Sequence, residues 1–341
     1  MPVGKNGDSV TSIDVARLAG VSQATVSRVF SANGNFSGKA AKKVLGAART
    51  LGYRPNAIAR SLVSSKSGLI GIVKGYSENP IFQEALTRFT YLIQDAGKQV
   101  LYFESRRHED IDEVMGNVLQ YQVEGIILLY AAMSSALTLS CQQRNIPVLQ
   151  MLRHSSGCRA NIFVSDNHKA AGEVAGHLID RGYRHFIYVS GELNSSINAE
   201  RHAGIVDKLG ETGCPPPMTV EGDFTYDSGR KAVRKIVKKS LLPCGVICAS
   251  DMMALGALDG LRHDLGLRTP RDAGVAGFDD VSMASWPSYS LTSVRLPISE
   301  MVRDALEALC LNIEDKAREP VVRKYAGILV KRRSTARKGK D

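Results

Sequence analysis

TSIDVARLAGVSQATVSRVFSANGNFSGKAAKKVLGAARTLGYRPNAIARSL, residues 11–62, is the stretch from which the rest of the chain can be read. Apolar residues recur in it at helical spacing in three short blocks, broken at Gly20 and at Asn33-Gly34, so three small helices are expected. Thr11 with Asp14 has the pattern of a capping box and predicts a helix over residues 13–19 with Ile13, Ala16 and Ala19 inward. Ser22 is a good N-cap for a second helix reaching about Phe30, with Val26 and Val29 packed on the first. Ser37 caps a third helix to about Leu51, burying Val44, Leu45, Ala48 and Leu51.

Two helices joined by a tight turn at Gly20-Val21 form a helix-turn-helix, and this packing leaves Gln23, Ala24, Ser27 and Arg28 on the outer face. Gln bonds adenine edges, Arg bonds guanine edges and Ala touches a thymine methyl, so the face suits a DNA major groove. Charge agrees. Residues 1–66 hold ten Lys/Arg against Asp8 and Asp14, a net +8 of the chain's +10. Residues 331–341 add +5, and residues 67–330 come to −3. A charge run alone is usually a solvated face; with a motif beside it, it is a footprint for phosphate.

At 341 residues the chain exceeds what one core serves, so several domains are expected. Composition, 44% hydrophobic and 23% charged, is that of a globular protein with no apolar run of membrane-spanning length. The N-terminal MPVGKNGDSV lacks the apolar core of a signal peptide, and a cytoplasmic location is expected. The six cysteines read as packing residues, and the seven histidines form no HxxxH or HExxH spacing, so neither metal nor cofactor is expected. No GxSxG or phosphate-loop pattern supports an enzyme; DSGRK at 227–231 lacks the spaced glycines.

From Leu69 onward short apolar runs alternate with amphipathic stretches: LIGIV (69–73), QVLYF (99–103), GIILL (125–129), PVLQM (147–151), HFIYV (185–189), GVICA (245–249) and GVAGF (274–278). Such runs predict parallel sheets covered on both faces, here two α/β lobes split near residue 165. Ligands of open α/β sheets sit beyond the carboxyl ends of the strands. That places Lys74, Tyr76, Asn79, Phe82, Tyr130, Arg153, residues 190–201, Asp223, Phe224, Ser250, Phe278 and Asp279 at an interlobe cleft. Asp166 and Asp251 read as helix caps, and Phe82 and Phe224 could be core. Lys74 extends an apolar run and is expected either to meet an anionic effector or to snorkel outward.

The run DVARLAGVSQATVSRVF, then LGYRPNAIARSL, SDNHKAAGEVAGHLIDRGYRHFIYVSG at 165–191, AERHAG at 199–204, SDMMALGAL at 250–258, GVAGFDD at 274–280 and ILVKRRST at 328–335 resembles the lactose-repressor (LacI/GalR) family of bacterial transcription regulators. The resemblance covers nearly the whole chain in the family's order. It implies a helix-turn-helix headpiece (11–54), a hinge helix and linker (55–68), and a periplasmic-binding-protein-like core (69–330) of two doubly wound lobes, before a basic end (331–341). The N-lobe would span 69–165 plus 297–330 and the C-lobe 166–294, with three crossings between them. It further implies operator contacts from Ser22, Gln23, Ala24, Thr25, Ser27, Arg28, Tyr53, Asn56, Ala59 and Leu62, with Leu62 as an intercalating wedge in the minor groove.

Effector contacts are implied for Arg201, Asp279 and Phe224, beside Lys74, Asn79, Phe82 and Ser250. Ser250 stands where the family commonly has Asn. No leucine-rich tail follows residue 335, so a homodimer on a palindromic operator is expected, with residues 298–315 and 82–95 at its interface. A sugar, sugar acid or nucleobase would be the effector. A solute-binding transport protein would share the core but have no use for residues 11–62.

Overall fold

The computed structural model describes residues 10–30, 36–54, 67–107, 109–131, 133–155, 157–192 and 195–337. The chain divides into two units, Met1–Ser67 and Gly68–Asp341. The proposed hinge positions Asn56, Ala59 and Leu62 lie outside the described residues.

The first unit contains α1 (Ser12–Ala19), α2 (Gln23–Val29) and α3 (Gly38–Leu51). Thr11, Ser22 and Ser37 cap them, and Thr11 and Asp14 close a reciprocal capping box. Gly20 (φ +62°) and Gly52 (φ +66°) end α1 and α3 in the left-handed region, where a side chain would be strained. Val15, Ala16, Ala19, Val26, Val44, Ala47 and Ala48 form the core, with Val29, Leu51 and the tilted Phe30–Tyr53 ring pair packed against it. Two inward expectations are corrected: Ile13 and Leu45 are exposed, and Val15 and Ala47 take their places. Both helices carry apolar residues at more than one phase, and the packing of α1 on α3 selects between them.

The second unit has two six-stranded sheets. The N-lobe sheet contains β1 (Leu69–Lys74), β2 (Gln99–Glu104), β3 (Gly125–Leu129), β4 (Val148–Met151), β5 (Asn161–Ser165) and β11 (Val322–Tyr325), in the order β11-β5-β4-β3-β1-β2 and all parallel. Successive residues of a strand face opposite sides. Ile70, Ile72, Ile127 and Leu129 therefore meet α4 (Pro80–Asp95) and α11 (Ile298–Glu314). Val73, Ile126 and Leu128 meet α5 (Ile111–Val118) and α6 (Ser135–Gln143).

The C-lobe sheet contains β6 (His185–Ser190), β7 (Met218–Glu221), β8 (Cys244–Cys248), β9 (Ala273–Asp279), β10 (Thr292–Arg295) and β12 (Ile328–Val330), in the order β12-β10-β9-β8-β6-β7. Its helices are α7 (Asn167–Asp180), α8 (Ser196–Glu211), α9 (Tyr226–Ile236) and α10 (Asp251–Asp259). β12 runs antiparallel to β10, which assigns residues 328–330 to the C-lobe instead of the N-lobe. The following residues stay there: Ser334 Oγ donates to the Val275 carbonyl at 2.6 Å, and Thr335 Oγ1 lies 2.8 Å from His177 Nε2. The chain thus crosses between lobes after β5, after β10 and after β11.

Candidate functional site

Strand ends from both sheets converge on a pocket partly open to solvent, with about 440 Å³ of empty space counted out to its mouth. Asn79, Phe82, Arg201, Phe224, Ser250 and Asp279 line it, as do Tyr130, Leu152, Ser165 and Asn167. Four of these leave their strands with left-handed backbone: Tyr130 (φ +52°), Leu152 (+69°), Phe224 (+64°) and Asp279 (+106°). Each such non-glycine conformation costs about 1–3 kcal/mol and persists only where the surroundings over-determine it. Strain collects at the cavity wall and turns these side chains inward.

The charged centre is Arg201 on α8, which is almost fully buried. Its Nε donates to Asn167 Oδ1 at 2.9 Å, one Nη donates to the Ala249 carbonyl, and the other lies 3.8 Å from Asp279 Oδ1. The guanidinium stacks 4.1 Å over the Phe278 ring. Burial pulls its pKa down and Asp279 partly restores it. Burial pushes the Asp279 carboxyl up to about 6, against the opposing influence of Arg201 and Asn79. Asn79 caps α4 with Oδ1 and, from the other lobe, donates Nδ2 to Asp279 Oδ2 at 2.6 Å. The polar centre is therefore shared between lobes.

Two expected roles change. Asp251 is not a helix cap: Ser250 caps α10, and the Asp251 carboxyl accepts from Ser293 Oγ (2.6 Å) and Val281 N (2.9 Å). Burial and the nearby Asp279 charge push its pKa well up. It ties the loop after β9 to β10 and so fixes the turn that presents Asp279. Lys74 does not line the cavity. Its ammonium donates to Glu104 and to the Ser77 carbonyl, both within the N-lobe. Lys74 and Glu104 are direct partners in the β1–β2 register, so the lysine meets its carboxylate on the adjacent strand. Asp166 does cap α7.

Asn167, Ser165 and Leu152 escaped the sequence reading. Asn167 sits just inside a helix, where an amide carries no special signal, yet it bonds Arg201 and also donates to Glu200 Oε2 at 3.1 Å.

At the cleft mouth Arg107 pairs with Asp223 (3.0 Å) and Arg153 with Glu192 (3.6 Å), each pair joining the two lobes. Among the described residues no group of three or more His, Cys, Asp or Glu stands ready to hold a metal. None of the described helices is long and apolar enough to cross a membrane.

In the first unit α2 exposes Gln23, Ala24, Ser27 and Arg28, while Thr25 is half-buried and lies 3.0 Å from Ser22 Oγ. Gln23 Nε2 donates to Ser12 Oγ at 3.0 Å. Tyr53 packs on Phe30, which gives it a structural part whatever else it contacts.

A helix-turn-helix unit with a polar outer face, followed by a bilobed receptor whose largely apolar cavity holds a buried charged pair, defines a ligand-responsive DNA-binding regulator. Known proteins agree. The profile described as bacterial regulatory proteins, lacI family, matches residues 12–56, and that of the periplasmic binding protein-like domain matches 175–335. Catabolite control protein A of Priestia megaterium is 33% identical over 305 residues, covering 88% of this chain and 92% of that protein. The HTH-type transcriptional repressor PurR of Erwinia tasmaniensis is 31% identical over 330 residues, covering 95% and 96%. The lac repressor dimer bound to operator and the anti-inducer ONPF superposes with a TM-score of 0.85 at 25% identity, over 96% of this chain and 99% of that one. The complex of the transcriptional regulator CelR with cellobiose gives 0.72 at 26% identity, over 95% and 99%.

The chain belongs to the lacI family of bacterial transcriptional regulators. The transport-protein reading is set aside by the match over residues 12–56.

Proposed function

We propose that the protein represses transcription as a cytoplasmic homodimer on a palindromic operator, and that an uncharged, hydroxyl-bearing small molecule in the interlobe cavity sets its DNA affinity. One observation carries the ligand assignment: a buried Arg201–Asp279 pair in a cavity of about 440 Å³, bridged to the opposite lobe by Asn79. Arg201 already has Asn167, Ala249 and Asp279 around it, and Lys74 is engaged by Glu104. Little cationic capacity is left for an anion. Ligand hydroxyls would donate to Asp279 and accept from Asn79, while the Phe82 and Tyr130 rings, 4.6 Å apart, and Phe224 supply apolar faces.

Such a ligand favours one lobe arrangement over the other, and DNA affinity shifts by the same coupling, typically about 1–3 kcal/mol. The lac repressor dimer on its operator and the CelR–cellobiose complex support the dimer, the DNA and the class of ligand.

Genomic sequence selection with the full-length protein, paired with a thermal-shift screen of carbon-source metabolites and nucleobases, tests both halves. A ligand at 100 times its Kd adds about 2.7 kcal/mol of stability. Selection that returns no preferred sequence removes the DNA assignment. A screen without any saturable binder removes the effector assignment.

A further inference from the structure

The second unit begins at Gly68, where the chain arrives from the helix-turn-helix unit, and this residue is held from both sides. β1 lies between β3 and β2, with Leu69 level with Gln99 and Ile70 level with Gly125. Glu124 therefore stands just before β3 on one side of the incoming chain, and Lys98 just before β2 on the other. Their side chains meet across the start of β1, where Lys98 Nζ donates to Glu124 Oε2 at 2.5 Å. The other carboxylate oxygen, Oε1, accepts the Gly68 N–H at 2.8 Å, from 56 residues away in the sequence. Gln99 N donates to the Gly68 carbonyl and Glu124 N to the Leu69 carbonyl, each at 2.8 Å.

A sheet end open to solvent can leave its first N–H to water. Here a carboxylate takes it and also spans both neighbouring strands. The Glu124 side chain is 11% exposed, so its charge-assisted bonds are only partly weakened by water. Gly125 beside it braces the arrangement: a Cβ there would fall 3.1 Å from Ile313 and 3.2 Å from Leu309, so the bare glycine lets α11 pack directly on this end of the sheet. β3 is buried along its whole length, and the residue after it, Tyr130, is a wall of the interlobe cavity. One strand thus has the cavity at its carboxyl end and the Glu124 clamp at its amino end.

Resting on the assignment of the protein to a palindromic operator, we propose that Glu124 is a positioning residue for DNA binding: it fixes the point at which the chain from the DNA-reading unit enters the receptor, and β3 ties that point to the cavity wall. In a dimer, two such entry points set the span across which the two DNA-reading units reach their half-sites. Once one unit is bound, the effective concentration of the other depends on how well that span is matched. Loosening the clamp broadens the span and weakens binding to paired half-sites, while the side chains that read the bases are untouched.

Full-length wild type, Glu124→Ala and Glu124→Gln are titrated against the duplex recovered by genomic selection and against the same duplex with one half-site scrambled. Glu124→Ala is expected to lose about fivefold or more in affinity for the intact duplex and less than about twofold for the single half-site. Glu124→Gln keeps the side-chain volume and an oxygen for the Gly68 N–H but gives up the ion pair with Lys98. It is expected to show the same selective loss at a smaller size, so the test does not depend on the alanine variant folding. Amide exchange at Gly68 should quicken in Glu124→Ala while Ile127, in the middle of β3, keeps its rate. Equal losses on both duplexes would mean a general weakening of the fold and would overturn the positioning role. Unchanged affinity for the intact duplex in both variants would overturn it as well. A wild-type protein that selects no duplex would instead remove the DNA assignment, and this role with it.

Discussion

Asn79 and Asp279, 200 residues apart, join the two lobes through a 2.6 Å hydrogen bond from Nδ2 to Oδ2. Asn79 is also the cap of α4, so its position is set by a helix end, while Asp279 is set by a strained strand end that Asp251 braces. Neither side chain can drift alone. A ligand entering between them exchanges one interlobe bond for two ligand bonds, and lobe closure and ligand occupancy become one equilibrium.

Asp279 gives this equilibrium a pH dependence. Its carboxyl titrates at about 6 in the folded protein against 3.8 for the ordinary group, so the native state holds the proton more tightly than the unfolded chain. Its contribution is most favourable at low pH and declines as pH rises from about 3.8 to beyond about 6. Relative to Asp279→Asn, the wild-type protein should lose about 2 kcal/mol of stability between about pH 4.5 and about pH 7.5. Urea unfolding of both proteins across that range checks it; parallel curves would refute it. Effector affinity should rise over the same interval, because ligand hydroxyls donate to the ionised form.

Gly191→Ala should displace the Phe224 ring, since the new methyl would begin 1.9 Å from it. Effector affinity is expected to fall tenfold or more with the far-UV circular dichroism unchanged. Unaltered affinity would show that Phe224 is not a wall of the binding site.

Thr11→Ala removes the side-chain half of the α1 capping box and leaves the backbone N–H of residue 11 donating to Asp14, a loss of about 1 kcal/mol for a helix N-cap. The decrease should appear as faster amide exchange confined to the first unit, with amides of β3 and β8 unaffected. Uniform acceleration in both units would contradict it.

Gln23→Ala and Arg28→Ala should each relax the preferred base at one operator position, by about 1–3 kcal/mol of discrimination. Gln23 is held by Ser12 in the DNA-free unit, so Ser12→Ala should tighten or leave unchanged the operator affinity, never relax the base preference. Selection on randomised half-sites reads all three variants.

Local chemistry made the helix caps legible: Thr11, Ser22 and Ser37 carry their signal within three residues of where it acts. The seven apolar strands announced themselves in the same way. β5, β7, β10, β11 and β12 did not: each is only three to five residues long, and the edge strands MTVE and VRKY carry no apolar run. Long-range partners were out of reach. Lys74 could be read as free only until register set Glu104 beside it, and Asp251 passed for a cap until Ser293, 42 residues away, claimed its carboxyl. In the cavity the charged and aromatic residues at strand ends stood out, whereas Asn167 acquires its part only through Arg201, 34 residues on.

The interleaving of the two sheets bears on how the molecule is made. The N-lobe lacks an edge strand until residues 322–325 exist, and the C-lobe lacks one until residues 328–330 have followed. On the ribosome, then, the small helical unit is complete early, while the two halves of the receptor reach their final form almost together, late in synthesis. The nascent chain would carry a folded headpiece for some time before the part that pairs and governs it is finished.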